Sequence, residues 1–170
     1  DYTVVVEKQP DTFNAWHNRA AAHWKLGQRD EACADYAQAL ARDPLRIFLG
    51  DMEAALSISR ELIQRQPENP DVWENRGRLL AHTGDHGAAA ADFDRAVELA
   101  PQNARYRLAR AEWLQARGQL DEAIADLRRA VVQSPSSPKS PQTPSESGIH
   151  LMLGRALAQQ GDWSEADKTL

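Results

Sequence analysis

The sequence predicts an all-α array of antiparallel helix pairs, an α-solenoid, and three observations carry that prediction. The pattern Gly-x-x-x-x-Ala recurs at Gly27 to Ala32, Gly50 to Ala55, Gly84 to Ala89, Gly118 to Ala123 and Gly161 to Ala166. A proline stands twelve residues after each of the first four alanines: Pro44, Pro67, Pro101 and Pro135. The steps from Gly84 to Gly118, Pro67 to Pro101 and Pro101 to Pro135 are all 34 residues. Such a period marks a helix-turn-helix unit stacked on copies of itself, each burying its apolar face against its neighbours.

Counting the turn glycine as the fifteenth position puts all units in one register. Residues 1–10 read as the end of a preceding unit closing on Pro10. The first complete unit, 13–46, has Trp16 at the fourth position, Ala20 at the eighth, Ala32 at the twentieth, Tyr36 at the twenty-fourth, Ala39 at the twenty-seventh and Pro44 at the thirty-second. A truncated second unit, 47–69, follows. The third, 70–103, repeats the pattern with Trp73, Gly77, Ala89, Phe93, Ala96 and Pro101. The fourth, 104–137, keeps Ala111, Ala123, Leu127, Ala130 and Pro135 but has Arg107 in the tryptophan position. An insertion, 138–146, precedes an incomplete fifth unit, 147–170, with Gly154, Leu157 and Ala166. Small residues at the eighth, twentieth and twenty-seventh positions let two helices approach, and the large side chains fill the gaps around them. Glycine ends the first helix, acidic residues such as Asp30-Glu31 and Asp121-Glu122 complement the positive start of the second, and proline stops it.

Across nearly the whole chain these residues resemble the tetratricopeptide repeat (TPR) consensus. The resemblance implies a right-handed superhelix whose first helices line a concave groove. Because both ends fall inside units, the chain reads as a piece of a longer array.

Two intervals depart from 34. From Gly27 to Gly50 the step is 23, leaving only Leu45 to Leu49 where a first helix of about fourteen residues belongs. Either a segment after Pro44 is missing from this sequence, which is the favoured expectation, or the repeat is degenerate and its second helix borrows another cover. The favoured reading rests on Leu56, Leu62 and Ile63, which a lost first helix would leave exposed. From Gly118 to Gly161 the step is 43, and the extra residues lie in a Ser/Pro-rich stretch. That composition predicts a mobile loop, either a plain spacer or a cluster of proline-directed phosphorylation sites at Ser134, Ser137, Ser140 and Thr143.

Composition narrows the function. Twenty basic against 25 acidic residues give a net charge of -5, and the longest basic run is Arg128-Arg129, so neither nucleic acid nor an anionic membrane surface is an expected partner. No apolar run approaches the ~18 residues that span a bilayer. Cys33 is the single cysteine, which excludes an internal disulfide framework and fits a reducing, cytoplasmic compartment.

Transferred by register, the TPR resemblance implies groove-facing residues at the second, fifth, sixth, ninth, twelfth and thirteenth positions. The peptide-binding candidates are Asn14, His17, Asn18, Trp24 and Lys25 in the first unit, Glu74, Asn75 and Arg78 in the third, and Arg105 and Glu112 in the fourth. Asn18 and Asn75 share the sixth position and resemble an asparagine ladder that holds a peptide backbone; a solvated subfamily asparagine is the alternative. Trp24 is the expected apolar anchor, or else a contact for the missing helix of the second unit. The carboxylate clamp for chaperone C-terminal tails matches only at Asn75 and Arg105, since His17, Ala21 and Ala109 occupy its other positions, so such tails are not expected ligands.

One internal correlation points to structure. Units with arginine at the seventh position, Arg19, Arg76 and Arg110, carry aspartate at the twenty-third, Asp35, Asp92 and Asp126. The fifth unit has Leu153 and Thr169 instead. This predicts an arginine-aspartate pair between the two helices of a unit, partly buried and sensitive to loss of one partner. Catalytic residues, metal ligands and cofactors are not expected. His82 and His86 are four apart, but Gly84 turns the chain between them. The expected function is a protein-interaction scaffold or adaptor holding an extended or helical partner segment. The alternatives are a substrate-selecting arm of a larger enzyme such as a glycosyltransferase, or a fixed subunit of a large assembly.

Overall fold

The computed structural model describes residues 2–8, 12–28, 31–32, 35–36, 38–39, 52–133 and 146–169. The predicted phosphorylation positions 134, 137, 140 and 143, and the sequence break after Pro44, lie outside them. The described residues form helices and connecting turns. The helices are α1 (Tyr2–Lys8), α2 (Phe13–Lys25), α3 (Met52–Arg65), α4 (Pro70–Thr83), α5 (His86–Leu99), α6 (Ala104–Ala116), α7 (Leu120–Gln133), α8 (Glu146–Gln160) and α9 (Trp163–Thr169). Helical residues also occur at 31–32, 35–36 and 38–39. Two compact units divide the chain, Asp1–Asp92 and Phe93–Leu170.

Local chemistry accounts for the helix ends. Asn69 and Asn103 close the inter-repeat turns, and each accepts a hydrogen bond from the backbone N–H two residues on, at 3.1 Å in both cases. Pro70 then occupies the first turn of α4, where its missing N–H costs nothing. Asp121 and Glu122 place negative charge on the first turn of α7. At the other end of α4, Gly84 adopts φ 86°, and its N–H and that of Asp85 return to Ala81 and Leu80 carbonyls. A Cβ on Gly84 would meet nothing within 4 Å, so only the left-handed backbone resists a side chain. Gly84→Ala is therefore expected to cost about 1 kcal/mol in urea unfolding, with Gly84→Asn recovering part of it.

In the second unit α6, α7, α8 and α9 pack in sequence order. Their core joins Leu108, Ala111 and Leu114 of α6, Ala123, Ile124, Leu127 and Ala130 of α7, Ile149, Leu153 and Leu157 of α8, and Ala166 of α9. The alanines at the eighth, twentieth and twenty-seventh positions of the fourth repeat, Ala111, Ala123 and Ala130, are all at 0 % exposure, as close helix approach requires.

In the first unit the second helix of the shortened repeat has a cover. Leu62 is buried and Leu56 and Ile63 are half-buried, not exposed. Met52 and Ala55 of α3 pack with Phe13, Ala39 and Leu79, with Trp16 and Leu56 alongside. One turn on, Ile58 and Leu62 pack with Ala20, Tyr36 and Val72, with Trp24 and Ile63 alongside. The helix thus finds its cover on the first helix of the preceding repeat and on α4. An amphipathic helix needs an apolar face opposite it, not one particular helix.

Candidate functional site

Helical spacing sorts the candidate binding residues of α2 into two stripes. Residues 14, 18, 21 and 25 follow the i, i+4, i+7, i+11 pattern of one face, and Asn14, Asn18 and Lys25 are exposed on it. Residues 13, 17, 20 and 24 form the adjacent stripe, which turns toward the core. There the His17 ring stacks on Phe13 at 5.2 Å and meets Tyr36 edge-on at 5.5 Å. Trp24 lies on the same stripe and is half-buried against the Ala20, Tyr36, Ile58, Leu62 and Val72 cluster. His17 and Trp24 thus pack on one side against the core and are half-buried. The open alternative for Trp24, contact with the second repeat, is close to what is seen, but through that repeat's second helix.

In the third repeat two candidates are covered. Glu74 and Asn75 are 2 % and 5 % exposed, so a peptide cannot reach them in this conformation. The Glu74 carboxylate accepts a hydrogen bond from Arg78 Nε at 2.8 Å, one turn along α4, and Arg78 is thereby held along its own helix. An asparagine ladder through Asn18 and Asn75 is accordingly broken at its second rung. In α6, Glu112 is exposed and Arg105 is half-buried, its guanidinium 5.5 Å from the Tyr106 ring centre.

Away from these faces lies a repeated ion pair. Arg19 donates through Nε and Nη2 to the two carboxylate oxygens of Asp35, at 2.7 and 2.6 Å. Arg76 does the same to Asp92 at 2.7 and 2.7 Å, and Arg110 to Asp126 at 2.6 and 2.7 Å. The aspartates are 4 %, 2 % and 2 % exposed, so each depends on its arginine for compensation. The planar guanidinium fits a carboxylate edge with two parallel hydrogen bonds, which lysine cannot copy. In the two tryptophan-bearing repeats the guanidinium also lies over an indole, Arg19 at 4.9 Å from the Trp16 ring centre and Arg76 at 5.2 Å from that of Trp73. The Asp35 hydrogen bond raises the Arg19 pKa above its ordinary value against the opposing effect of burial. That of Arg110 is raised by Asp126 first and then by Asp94, which Nη1 meets at 2.6 Å.

Sequence reasoning missed two further contributors. Asp94, on the second helix of the third repeat, shares Arg110 with Asp126 and carries no signal in the repeat pattern. Arg107 was visible as the break in the tryptophan register, but its partners were not: Nη2 donates to the Pro101 carbonyl at 3.3 Å and Nε to Gln133 Oε1 at 3.2 Å. Among the described residues, no group of three His, Cys, Asp or Glu side chains is placed to hold a metal ion, and no helix is long and apolar enough to cross a membrane.

Comparisons with known proteins agree with this architecture. The chain is 36% identical over 80 residues, 47% of its length, to the TPR repeat-containing thioredoxin TTL4 of Arabidopsis thaliana. It is 24% identical over 106 residues, 62% of its length, to human tetratricopeptide repeat protein 13. The matched stretches span 11% and 10% of those two proteins. Among solved structures, YrrB, described as a TPR protein with an unusual peptide-binding site, superposes with a TM-score of 0.57 at 19% identity, covering 99% of this chain and 88% of its own. MamA superposes with a TM-score of 0.59 at 17% identity, covering 94% and 88%. Tetratricopeptide repeat signatures match residues 13–46, 45–112 and 102–138, running without a break from the first complete repeat to the end of the fourth. Period, paired helices and signatures coincide, and the chain belongs to the tetratricopeptide repeat family.

Proposed function

We propose that this chain is a protein-interaction scaffold or adaptor that holds a segment of a partner protein against the solvent faces of its first helices. The observation that carries this reading is the stripe of Asn14, Asn18 and Lys25, exposed in line along α2 while the neighbouring stripe is committed to packing. From residue 14 to residue 25 a helix rises ~16 Å, the reach of about five residues of extended peptide. Asparagine offers both a donor and an acceptor to a peptide backbone, whatever the peptide's side chains, and lysine adds charge selection. Arg105 and Glu112 give α6 a second polar face of the same kind. The description of YrrB, as a peptide-binding member of this architecture, supports the reading without naming a ligand. With a net charge of -5, the partner is a protein and not a nucleic acid. The single Cys33 suits a reducing, cytoplasmic setting.

The test is affinity capture from a cell extract with the 170-residue chain and with the surface variant Asn14→Ala, Asn18→Ala, Lys25→Ala. Specific partners should be recovered about tenfold less well by the variant, while its circular dichroism is unchanged. Recovery of the same proteins in equal amounts would end the reading. A second reading, in which the array is the selecting arm of a larger enzyme, is favoured by one observation: the name of TTL4 joins TPR repeats to a thioredoxin.

A further inference from the structure

A proline and a side chain bearing an N–H recur six residues apart. Trp16, Trp73, Arg107 and His150, at the fourth positions of the first, third, fourth and fifth repeats, follow Pro10, Pro67, Pro101 and Pro144. Tryptophan, arginine and histidine share neither shape nor charge, but each carries an N–H on a ring or guanidinium. Trp73 Nε1 donates to the Pro67 carbonyl at 2.8 Å, and Arg107 Nη2 donates to the Pro101 carbonyl at 3.3 Å. Each of these two carbonyls lies two residues past the end of a second helix, α3 or α5, where intrahelical bonding has stopped.

In both repeats the same side chain also reaches the arginine-aspartate pair inside its own repeat. The Arg76 guanidinium lies 5.2 Å from the Trp73 ring centre while it holds Asp92 with two hydrogen bonds of 2.7 Å. An indole pinned at its N–H edge presents a fixed face to that cation. Arg107 makes the link without a ring. Its Nη1 lies 3.6 Å from Asp126, the aspartate held by Arg110, and its Nε donates to Gln133 Oε1 at 3.2 Å. Gln133 Nε2 in turn donates to the Pro101 carbonyl at 2.9 Å. Arg107 is 9 % exposed and Asp92 and Asp126 are 2 % exposed, so little water competes for these groups.

We propose that the fourth-position residue of the third and fourth repeats couples the turn before the repeat to the arginine-aspartate pair within it, so that loosening one loosens the other. In the third repeat the coupling runs through the tryptophan ring, and in the fourth it runs directly through a second guanidinium. Arg107 is then a second chemical solution to the same requirement, not a lapse in the tryptophan pattern. A displacement of the helix pair is thereby passed to the turn that precedes it instead of being absorbed within the repeat.

Amide hydrogen exchange on the full chain tests the coupling. The reporters are the Asn69 and Val72 amides, which donate to the Gln66 and Asn69 carbonyls in the turn before α4 at 3.1 and 3.2 Å. Their rates are taken relative to Ala123 and Leu127 of the same variant, so that a general loss of stability cancels. Trp73→Phe keeps a ring for Arg76 and removes only the N–H, and it should raise the relative rates about fivefold. Arg76→Lys loosens the pair, since lysine cannot form the two parallel bonds to Asp92. It should raise the same rates about threefold in the parent chain and leave them unmoved in a Trp73→Leu background, where the ring joining pair to turn is gone. Parent-like rates in Trp73→Phe would overturn the proposal, as would an equal effect of Arg76→Lys with and without Trp73.

Discussion

Asp126→Ala is expected to lower the stability of the chain by about 3–5 kcal/mol, measured as a shift of the urea midpoint at constant slope. Asp126 is 2 % exposed and accepts two hydrogen bonds from Arg110, so the variant leaves a guanidinium only one-fifth exposed with the more exposed Asp94 as its remaining carboxylate, and takes the nearby carboxylate from the buried Arg107 as well. Removing one partner leaves charge uncompensated, which is why the single variant should cost far more than Arg110→Met combined with Asp126→Leu. A loss below about 1 kcal/mol would put the pair in the class of surface ion pairs and refute its structural role. Base should not mimic the substitution. The Arg110 pKa is raised in the folded state, so its contribution is fully present below the unfolded value and is lost only as pH rises through the folded one. Both lie above the range in which the fold is studied.

Ile58→Ala is the second large effect, about 2–5 kcal/mol. Ile58 is at 0 % exposure among Ala20, Tyr36, Leu62 and Val72, where α3 meets residues of the repeats on either side of it. Truncation to alanine removes apolar contact and leaves a cavity that helices on either side cannot close. Leu56→Ala, at a half-buried position of the same helix, should cost less than half as much. If both substitutions cost under about 1 kcal/mol, α3 is not packed in the way described here.

The helix ends and the core were legible because they depend on residues close in sequence. Ala111, Ala123 and Ala130 are small for the same reason in every repeat, and Gly84 must take a positive φ wherever a first helix ends on it. The ion pairs were legible for a different reason. Arg19, Arg76 and Arg110 change in step with aspartates sixteen residues on, and repetition within one chain lets a single sequence display that correlation. The binding face was less legible, since groove positions are assigned by register and register does not report burial. Glu74 and Asn75 occupy groove positions yet are covered, while Asn14 and Asn18 in the same roles are exposed.

By itself the sequence determined the repeat, the all-α pairing of helices and the residues that cap, turn and pin each pair. These follow from local backbone chemistry and from contacts between neighbours in the chain. Only the tertiary structure decided how the shortened repeat is covered, which of two adjacent stripes on α2 meets solvent, and that Arg107 and Gln133 both donate to the Pro101 carbonyl. Burial and long-range hydrogen bonds depend on what other helices bring to the same point. A rotation of about 100° per residue along a helix is enough to move a side chain from a partner's reach into the core.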